Sequence, residues 1–485
     1  MKHYDCIVIG TGPAGQKAAI QAAKLGKSVA IIEKSKVVGG AQVNTGTIPS
    51  KALREAAIHL TGANRRGWSG RSYRVQKDIT IADLVSVSDQ VIRHEWEVIR
   101  DQFDRNGVDL IWGAAHFEGP NLVQVERDDE NEMLTADKFL VAVGTRPAMP
   151  DSVPFNGTDV LSSDSLLKLG KLPKTMIVVG GGVIGVEYAC IMATLGVRVT
   201  LIEGRNQVLG FLDDELAGAF QYLMRQDGIT LRLGEKVTSI NCLTPSDGGD
   251  ERSVRGSLVE AELESGKNIK AETLLYAVGR QGVCGKLALE NVGITYDDRE
   301  RLKVNEHYQC LNMEDPENPK VIEHVYAAGD VIGFPALAST SFEQGRRAIC
   351  HAFGVEVENW NQDLFPFGIY AVPEISMVGK TERQLTDEGI PYEAGIAHYR
   401  EIARGQILGD DSGMLKLLIH QDTHAILGVH AMGTGATELI HIGQTCMALG
   451  GKCEFFINNV FNFPTLAEAY KIAAYNGLNK LAHVR

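Results

Sequence analysis

Two glycine-rich hexapeptides in this 485-residue chain have the spacing to hold phosphate: Gly10-Thr11-Gly12-Pro13-Ala14-Gly15 and Gly180-Gly181-Gly182-Val183-Ile184-Gly185. In each, the first glycine permits a tight turn and the second lets a pyrophosphate approach the backbone. The third lets a following helix pack close to the preceding strand. The first N–H groups of that helix then face the phosphates, where the helix dipole favours negative charge. An acidic residue follows each turn, Glu33 and Glu203, placed to accept a hydrogen bond from a ribose hydroxyl. Two such units imply two dinucleotides, one bound as cofactor and one exchanging. These residues leave open which is which.

The elements that must position the turns are readable around them. A β-rich run, Tyr4–Ile9, precedes the first turn, a helical stretch runs to about Leu25, and Ser28–Ile32 reads as the next strand. The second unit repeats this order with Met176–Val179, Val186–Leu195 and Val197–Ile202. Met176–Val197 is the most membrane-like stretch, but Glu187 and the four clustered glycines favour a buried strand, turn and helix. The polar stretch Thr244–Gly256 reads as an exposed hairpin loop. Beyond residue 352 there is no glycine fingerprint. The apolar runs Leu415–Ile419 and Ala425–His430 predict an antiparallel sheet there, with helices over Ala436–Met447 and Leu466–Leu481.

Composition narrows the class. With 44% hydrophobic and 22% charged residues the chain is an ordinary globular protein, long enough for several buried cores. A formal charge of −13 argues against a nucleic-acid binder, which needs a basic face. The eight cysteines (Cys6, Cys190, Cys242, Cys284, Cys310, Cys350, Cys446, Cys453) are dispersed without a CxxC pair. They read as free thiols of a reducing compartment, with neither a disulfide framework nor a metal site. Met1–Tyr4 leads almost directly into an apolar strand, with no leader pattern, so the expectation is a cytoplasmic protein off the membrane.

Between Gly39 and Lys51 the chain reads GGAQVNTGTIPSK. This resembles the flavin-proximal segment of the FAD-dependent pyridine nucleotide-disulfide oxidoreductases (class I), where GGxCxxxxCxPSK carries a redox-active cysteine pair. Here the cysteine positions hold Gln42 and Thr47, while Gly39, Gly40, Gly46, Pro49, Ser50 and Lys51 keep the frame. An amide and a hydroxyl cannot relay electrons by thiolate attack. FLVAVGTRP at Phe139–Pro147, LLYAVGR at Leu274–Arg280, VYAAGD at Val325–Asp330 and VPEISMVG at Val372–Gly379 resemble further family segments, in the family's order. The resemblance implies an α/β fold with two Rossmann-like dinucleotide-binding domains and a C-terminal α+β dimerisation domain. It implies FAD at 1–150 with 280–352, NAD(P) at 151–279, and dimerisation at 353–485.

The same resemblance implies roles for individual residues. Around FAD it places Pro13, Ala14, Lys34, Gly40, Ala41, Gln42, Gly46, Ala115, Ala142, Gly144, Arg280 and Ala338, with Asp330 on the ribityl chain. At the second dinucleotide it adds Ile184, Gly279 and Arg205, the last either matching a 2′-phosphate or simply solvated. Lys51 is implied as the cation near the flavin, paired with Glu187, and Thr47 lies beneath the flavin. Asn462–Glu468 resembles the family's HPTxxE segment, but Phe463 stands at the histidine, and phenylalanine cannot carry a proton.

Gly46–Arg54 (GTIPSKALR), Phe211–Glu215 (FLDDE) and the tail Phe461–Ala482 are similar to one branch, the soluble pyridine nucleotide transhydrogenases. Members of that branch often keep the first cysteine; this chain reads Ala41-Gln42-Val43-Asn44 there. The branch implies hydride exchange between NADPH and NAD+ through FAD, in a homodimer joined by the C-terminal domain. The alternatives are an NAD(P)H dehydrogenase passing electrons to a quinone, oxygen or another acceptor, and a non-catalytic flavin-holding sensor or scaffold.

Overall fold

The computed structural model describes residues 1–62, 81–127, 130–243, 258–358 and 360–483. The hairpin expected at Thr244–Gly256 lies outside them. The chain divides into two compact units: Met1–Ala52 with Val85–Ala148 and Gly279–Asn359, and Leu53–Leu84 with Met149–Val278 and Trp360–Arg485.

The first unit is built on a sheet whose strands run Gln309–Asn312, Lys320–Ala327, Glu132–Val141, Lys2–Ile9, Val29–Glu33, Asp109–Trp112. All neighbours are parallel except the antiparallel edge strand Gln309–Asn312. A parallel sheet is covered on both faces and so needs strands apolar on both sides. Lys2–Ile9 and Val29–Glu33 meet that need, with Cys6, Ile7, Val8, Ala30 and Ile31 fully buried. The helices Pro13–Lys24 and Ala338–Ala352 cross at bare glycine: a Cβ on Gly345 would sit 2.1 Å from the Ala14 carbonyl oxygen. The hairpin Ala114–Gly119 and Leu122–Glu126 extends this sheet, and Thr145–Pro147 pairs with Arg280–Gly282.

The second unit holds a smaller parallel sheet in the order Thr230–Leu233, Arg198–Glu203, Thr175–Val179, Thr273–Tyr276, Val160–Leu161. A three-stranded antiparallel sheet, Val237–Leu243, Leu258–Leu263 and Asn268–Ala271, packs beside it. The same unit contains a five-stranded antiparallel sheet: Phe367–Ile369, Ile375–Gly379, Ile426–Met432, Met414–His420, Tyr392–His398. The helix Glu468–His483 lies on it so closely that a Cβ on Gly395 would meet the Ala473 carbonyl at 2.1 Å. The membrane-like stretch is resolved as the strand Thr175–Val179 and the helix Val183–Thr194, whose Gly185 to Met192 are all buried. Among the described residues, no helix is long and apolar enough to cross a membrane.

Candidate active site

Both glycine turns sit at the carboxyl end of a central parallel strand and open a helix, the crevice where open α/β sheets bind ligands. Their stereochemistry is nearly superimposable. Gly10 has φ +105° and Gly180 φ +108°, and a Cβ on either would lie 2.5–2.6 Å from a neighbouring carbonyl oxygen, Ala142 or Ala277. A Cβ on Gly15 or Gly185 would press within 1.9 Å of the carbonyl oxygen of Gly10 or Gly180. The middle glycines are different: around the Cβ position of Gly12 and of Gly182 nothing lies within 4 Å. Each of these two residues is the N-cap of its helix, and no side chain caps the first-turn N–H groups. Open space over uncapped helix N–H groups fits a dinucleotide pyrophosphate at both turns.

The acidic residues after the second strands are buried and engaged. Glu33 accepts the Thr11 hydroxyl at 2.6 Å and the backbone N–H of Thr11 and Ser35 at 3.1 and 2.8 Å. Thr11 also accepts the Gly39 N–H at 3.0 Å, tying the first turn to the Gly39–Lys51 segment. Glu203 accepts the Gly181 N–H at 2.6 Å and, on its other oxygen, the Arg205 N–H and Nε at 2.9 and 3.0 Å. Burial alone would raise the Glu203 carboxyl; the Arg205 guanidinium and the two backbone N–H groups instead hold it below the ordinary carboxylate range. Arg205 is thus folded onto Glu203, although its side chain remains 64% exposed.

Around the expected FAD site a polar relay forms that the sequence did not announce. Arg280 donates from Nε and Nη2 to the hydroxyl and carbonyl oxygens of Thr145, both at 2.8 Å, and the Thr145 hydroxyl donates to Asp330 Oδ2 at 3.2 Å. Gly144 and Gly279 carry positive φ beside it. Ala338 opens the helix Ala338–Ala352, which has no side-chain cap, and Ala142 pairs its N–H with the Ile9 carbonyl. Lys34 is exposed, and Ala115 is buried in the apolar core of the first unit.

The Gly39–Lys51 segment forms a short helix, Gly40–Asn44, and the start of a longer one, Thr47–Thr61. Asn44 holds the break between them: its Nδ2 donates to Val38 and Gly40 carbonyls, and its Oδ1 accepts Trp96 Nε1 at 2.9 Å. The Ala41 carbonyl accepts the N–H groups of Thr45 and Gly46. Gln42 is half-buried, Thr47 is exposed, and Lys51 Nζ donates to Ser50 Oγ at 3.3 Å. Lys51 lies in the first unit and Glu187 in the second. Glu187 is buried and accepts the Tyr370 N–H at 2.8 Å. Gly40 and Gly46 of the Gly39–Lys51 segment and Ile184 of the second turn are part-exposed.

Positions 42 and 47 carry no cysteine and position 463 no histidine. Seven of the eight cysteines are buried and all eight are unpaired. Burial pushes the thiols of Cys6, Cys190, Cys284 and Cys453 up to about 12, so none is a thiolate at neutral pH. Phe463 is 73% exposed, and Glu468 Oε2 is buried without a hydrogen-bond partner among the described residues.

The family described as pyridine nucleotide-disulphide oxidoreductase matches residues 4–345, and its dimerisation domain matches residues 365–474. A soluble pyridine nucleotide transhydrogenase of Mycobacterium bovis is 49% identical over 483 residues, covering 99% of this chain and 98% of the relative. Those of Photorhabdus laumondii and Vibrio parahaemolyticus are 43% and 41% identical, each covering 99% of both chains. Among solved structures, LpdA from Mycobacterium tuberculosis superposes with TM-score 0.85 at 24% identity, covering 98% of this chain and 99% of its own. The copper(II) complex of the HOCl-induced flavoprotein disulfide reductase RclA from Escherichia coli gives TM-score 0.83 at 25% identity over the whole of both chains.

Proposed function

The chain belongs to the pyridine nucleotide-disulphide oxidoreductase family, and from that membership we propose that it is an NAD(P)+ transhydrogenase, moving hydride between NADPH and NAD+. FAD held by the first glycine turn would supply the hydride-carrying chemistry between the two nicotinamides. One observation carries the reading. Both dinucleotide turns are intact, while Gln42, Thr47 and Phe463 occupy the positions that disulfide chemistry would fill with two cysteines and a histidine.

In this reading 1–150 and 280–352 bind FAD, 151–279 binds NAD(P) and 353–485 serves dimerisation. The Gly10–Gly15 turn, Glu33 and the Arg280–Thr145–Asp330 relay hold the flavin nucleotide. The Gly180–Gly185 turn and Glu203 hold whichever nicotinamide dinucleotide is exchanging. Lys51 supplies fixed positive charge where negative charge arrives with the hydride, with Glu187 as the partner the resemblance assigns to it. Thr47 and Gln42 offer no thiol, so no disulfide at these positions draws electrons off the flavin. Exposed Leu449, Val460 and Phe463 on the C-terminal part support a homodimer through that domain, and the unpaired cysteines support a cytoplasmic location.

The test is anaerobic mixing of the flavin-loaded protein with NADPH and thio-NAD+, following the thionicotinamide absorbance. A sustained rise under turnover is expected. No rise, together with rapid quinone reduction by NADH, would replace this reading with a dehydrogenase. NAD(P)H that cannot bleach the flavin at all would leave only a scaffold.

Glu203 offers a sharper check on substrate choice. Its carboxylate accepts a ribose 2′-OH but repels a 2′-phosphate, and it neutralises Arg205. Glu203→Ala is expected to shift the ratio of kcat/KM values toward NADPH by roughly tenfold, about 1.4 kcal/mol. An unchanged ratio would place the 2′-position away from Glu203.

A further inference from the structure

The acidic segment Phe211–Glu215 marks the branch in sequence, yet it has no part in the reaction as described. Asp213 and Glu215 meet Lys416 of the C-terminal sheet, and Asp214 meets Arg383 of the helix Glu382–Asp387, all in the second unit. Lys416, in the strand Met414–His420, has a side chain with 0% exposure, and its Nζ donates at 2.8 Å to Asp213 Oδ1 and at 2.8 Å to Glu215 Oε2. A third bond reaches Glu382 Oε1, whose partner oxygen accepts the Tyr392 hydroxyl at 3.0 Å. Asp213 Oδ2 accepts the Glu382 N–H at 3.1 Å, and Arg383 pairs with Asp214 at 2.6 Å. The three carboxylates present oxygens within 4.8 Å of one another, a spacing that would suit a cation, and the lysine ammonium takes that place.

Burial would lower the Lys416 pKa, but hydrogen bonds to the three carboxylates outweigh it and keep the ammonium charged. Burial would likewise raise Asp213; the hydrogen-bonded Lys416 ammonium and the Glu382 N–H hold it low. Buried ion clusters of this kind are weak sources of stability, because apolar replacements often do as well. Their best-attested use is to select one arrangement over others. Here the arrangement concerns the segment from Glu203 to Asp213. One end of that segment carries Arg205. In its middle, Leu209 adopts φ +50° and donates its N–H to the Gly181 carbonyl at 2.8 Å, and Leu212 bonds back to Leu209. Arg205 Nη1 lies 3.4 Å from the Cβ position of Gly210. The other end is the Asp213 cap of the helix Asp214–Gln226, gripped by Lys416.

We infer that Lys416 is a positioning residue for the exchanging dinucleotide: by gripping Asp213 and Glu215 it holds the 204–213 segment, and with it Arg205 and the second glycine turn, in the binding geometry. This rests on the second turn being the exchanging site.

Lys416→Met tests it in the flavin-loaded enzyme. KM for NADH and for NADPH should rise about tenfold, while kcat per bound flavin changes less than twofold. Glu382→Gln, which leaves Asp213 and Glu215 on the lysine, should raise KM about threefold, and it decides the matter if Lys416→Met does not fold. Arg383→Ala, which removes only an exposed pair, should leave both KM values unchanged. A lower melting temperature with unchanged KM in Lys416→Met and Glu382→Gln would reduce the cluster to a structural brace and overturn the inference. Failure of the underlying site would look different. If Gly182→Val binds NADH normally, the second turn is not the site; if that variant loses NADH while Lys416→Met keeps its KM, only the positioning role fails.

Discussion

Gly182→Val is expected to remain folded and flavin-loaded but to bind NADH and NADPH at least 100-fold more weakly, about 2.7 kcal/mol. The contrast among the three glycines of the turn sets this expectation. A side chain on Gly180 would demand a left-handed residue against the Ala277 carbonyl at 2.6 Å, and one on Gly185 would strike Gly180 at 1.9 Å, so both would damage the turn itself. Gly182 has φ −78°, which any residue adopts, and its Cβ would enter open space above the helix Val183–Thr194. That space is where a pyrophosphate would meet the uncapped N–H groups, so a branched side chain removes the ligand's place without disturbing the protein. Isothermal titration with NADH, beside the melting temperature and the flavin content, separates the effects. Binding that survives unchanged would mean the nucleotide lies elsewhere. Gly12→Val, by the same geometry, should lose flavin instead.

Lys51→Ala is expected to slow bleaching of the flavin by NADPH by about 100-fold, about 2.7 kcal/mol of barrier, with nucleotide affinity little changed. The lysine follows a turn built to hold it in place. Asn44 closes the short helix Gly40–Asn44, Ser50 Oγ bonds back to the Thr47 carbonyl at 3.2 Å, and Lys51 Nζ rests on Ser50. A fixed cation favours the state in which negative charge has arrived with the hydride, and it does so without reorganising at that moment. Anaerobic stopped-flow measures the step directly, and Lys51→Arg should recover part of the rate. A rate equal to the unsubstituted protein would make Lys51 a helix-surface residue and remove it from the proposal.

The strand and helix pattern around both turns was legible because it depends on neighbours in sequence. The strand expected at Ser28–Ile32 is Val29–Glu33, and the pair expected at Leu415–Ile419 and Ala425–His430 is Met414–His420 and Ile426–Met432. The second-unit helix begins at Val183, three residues before the expected Val186. It starts directly on the glycine turn, without the capping side chain that would have marked its first residue. The last helix begins at Glu468, not Leu466, because Leu466 and Ala467 form a tighter turn whose carbonyls accept the N–H groups three residues on, of Ala469 and Tyr470.

Residues that act through partners were much harder to read. Thr11 was visible only as a spacer between glycines, yet its hydroxyl joins Glu33 to Gly39. Arg205 could be read as a phosphate ligand or a solvated loop residue, and it proves to be bonded to Glu203 while still exposed. Thr145 and Asp330 are 185 positions apart and meet through one hydroxyl. Lys416 and Asp213, 203 apart, form a fully buried pair that no spacing rule signals.

What the amino-acid order decided was stereochemical and chemical. Glycine at Gly10 and Gly180 allows a turn that other residues enter only with strain, and the absence of sulfur at Gln42 and Thr47 and of imidazole at Phe463 forbids a disulfide relay wherever those residues lie. The folded chain decided which groups share a hydrogen bond and which stay open to a ligand. It emptied the space at Gly12 and Gly182, folded Arg205 onto Glu203, and buried one ammonium among three carboxylates. The division follows from range: backbone strain and functional-group chemistry are properties of single residues, whereas a contact needs two distant segments brought together by the packing of everything between them.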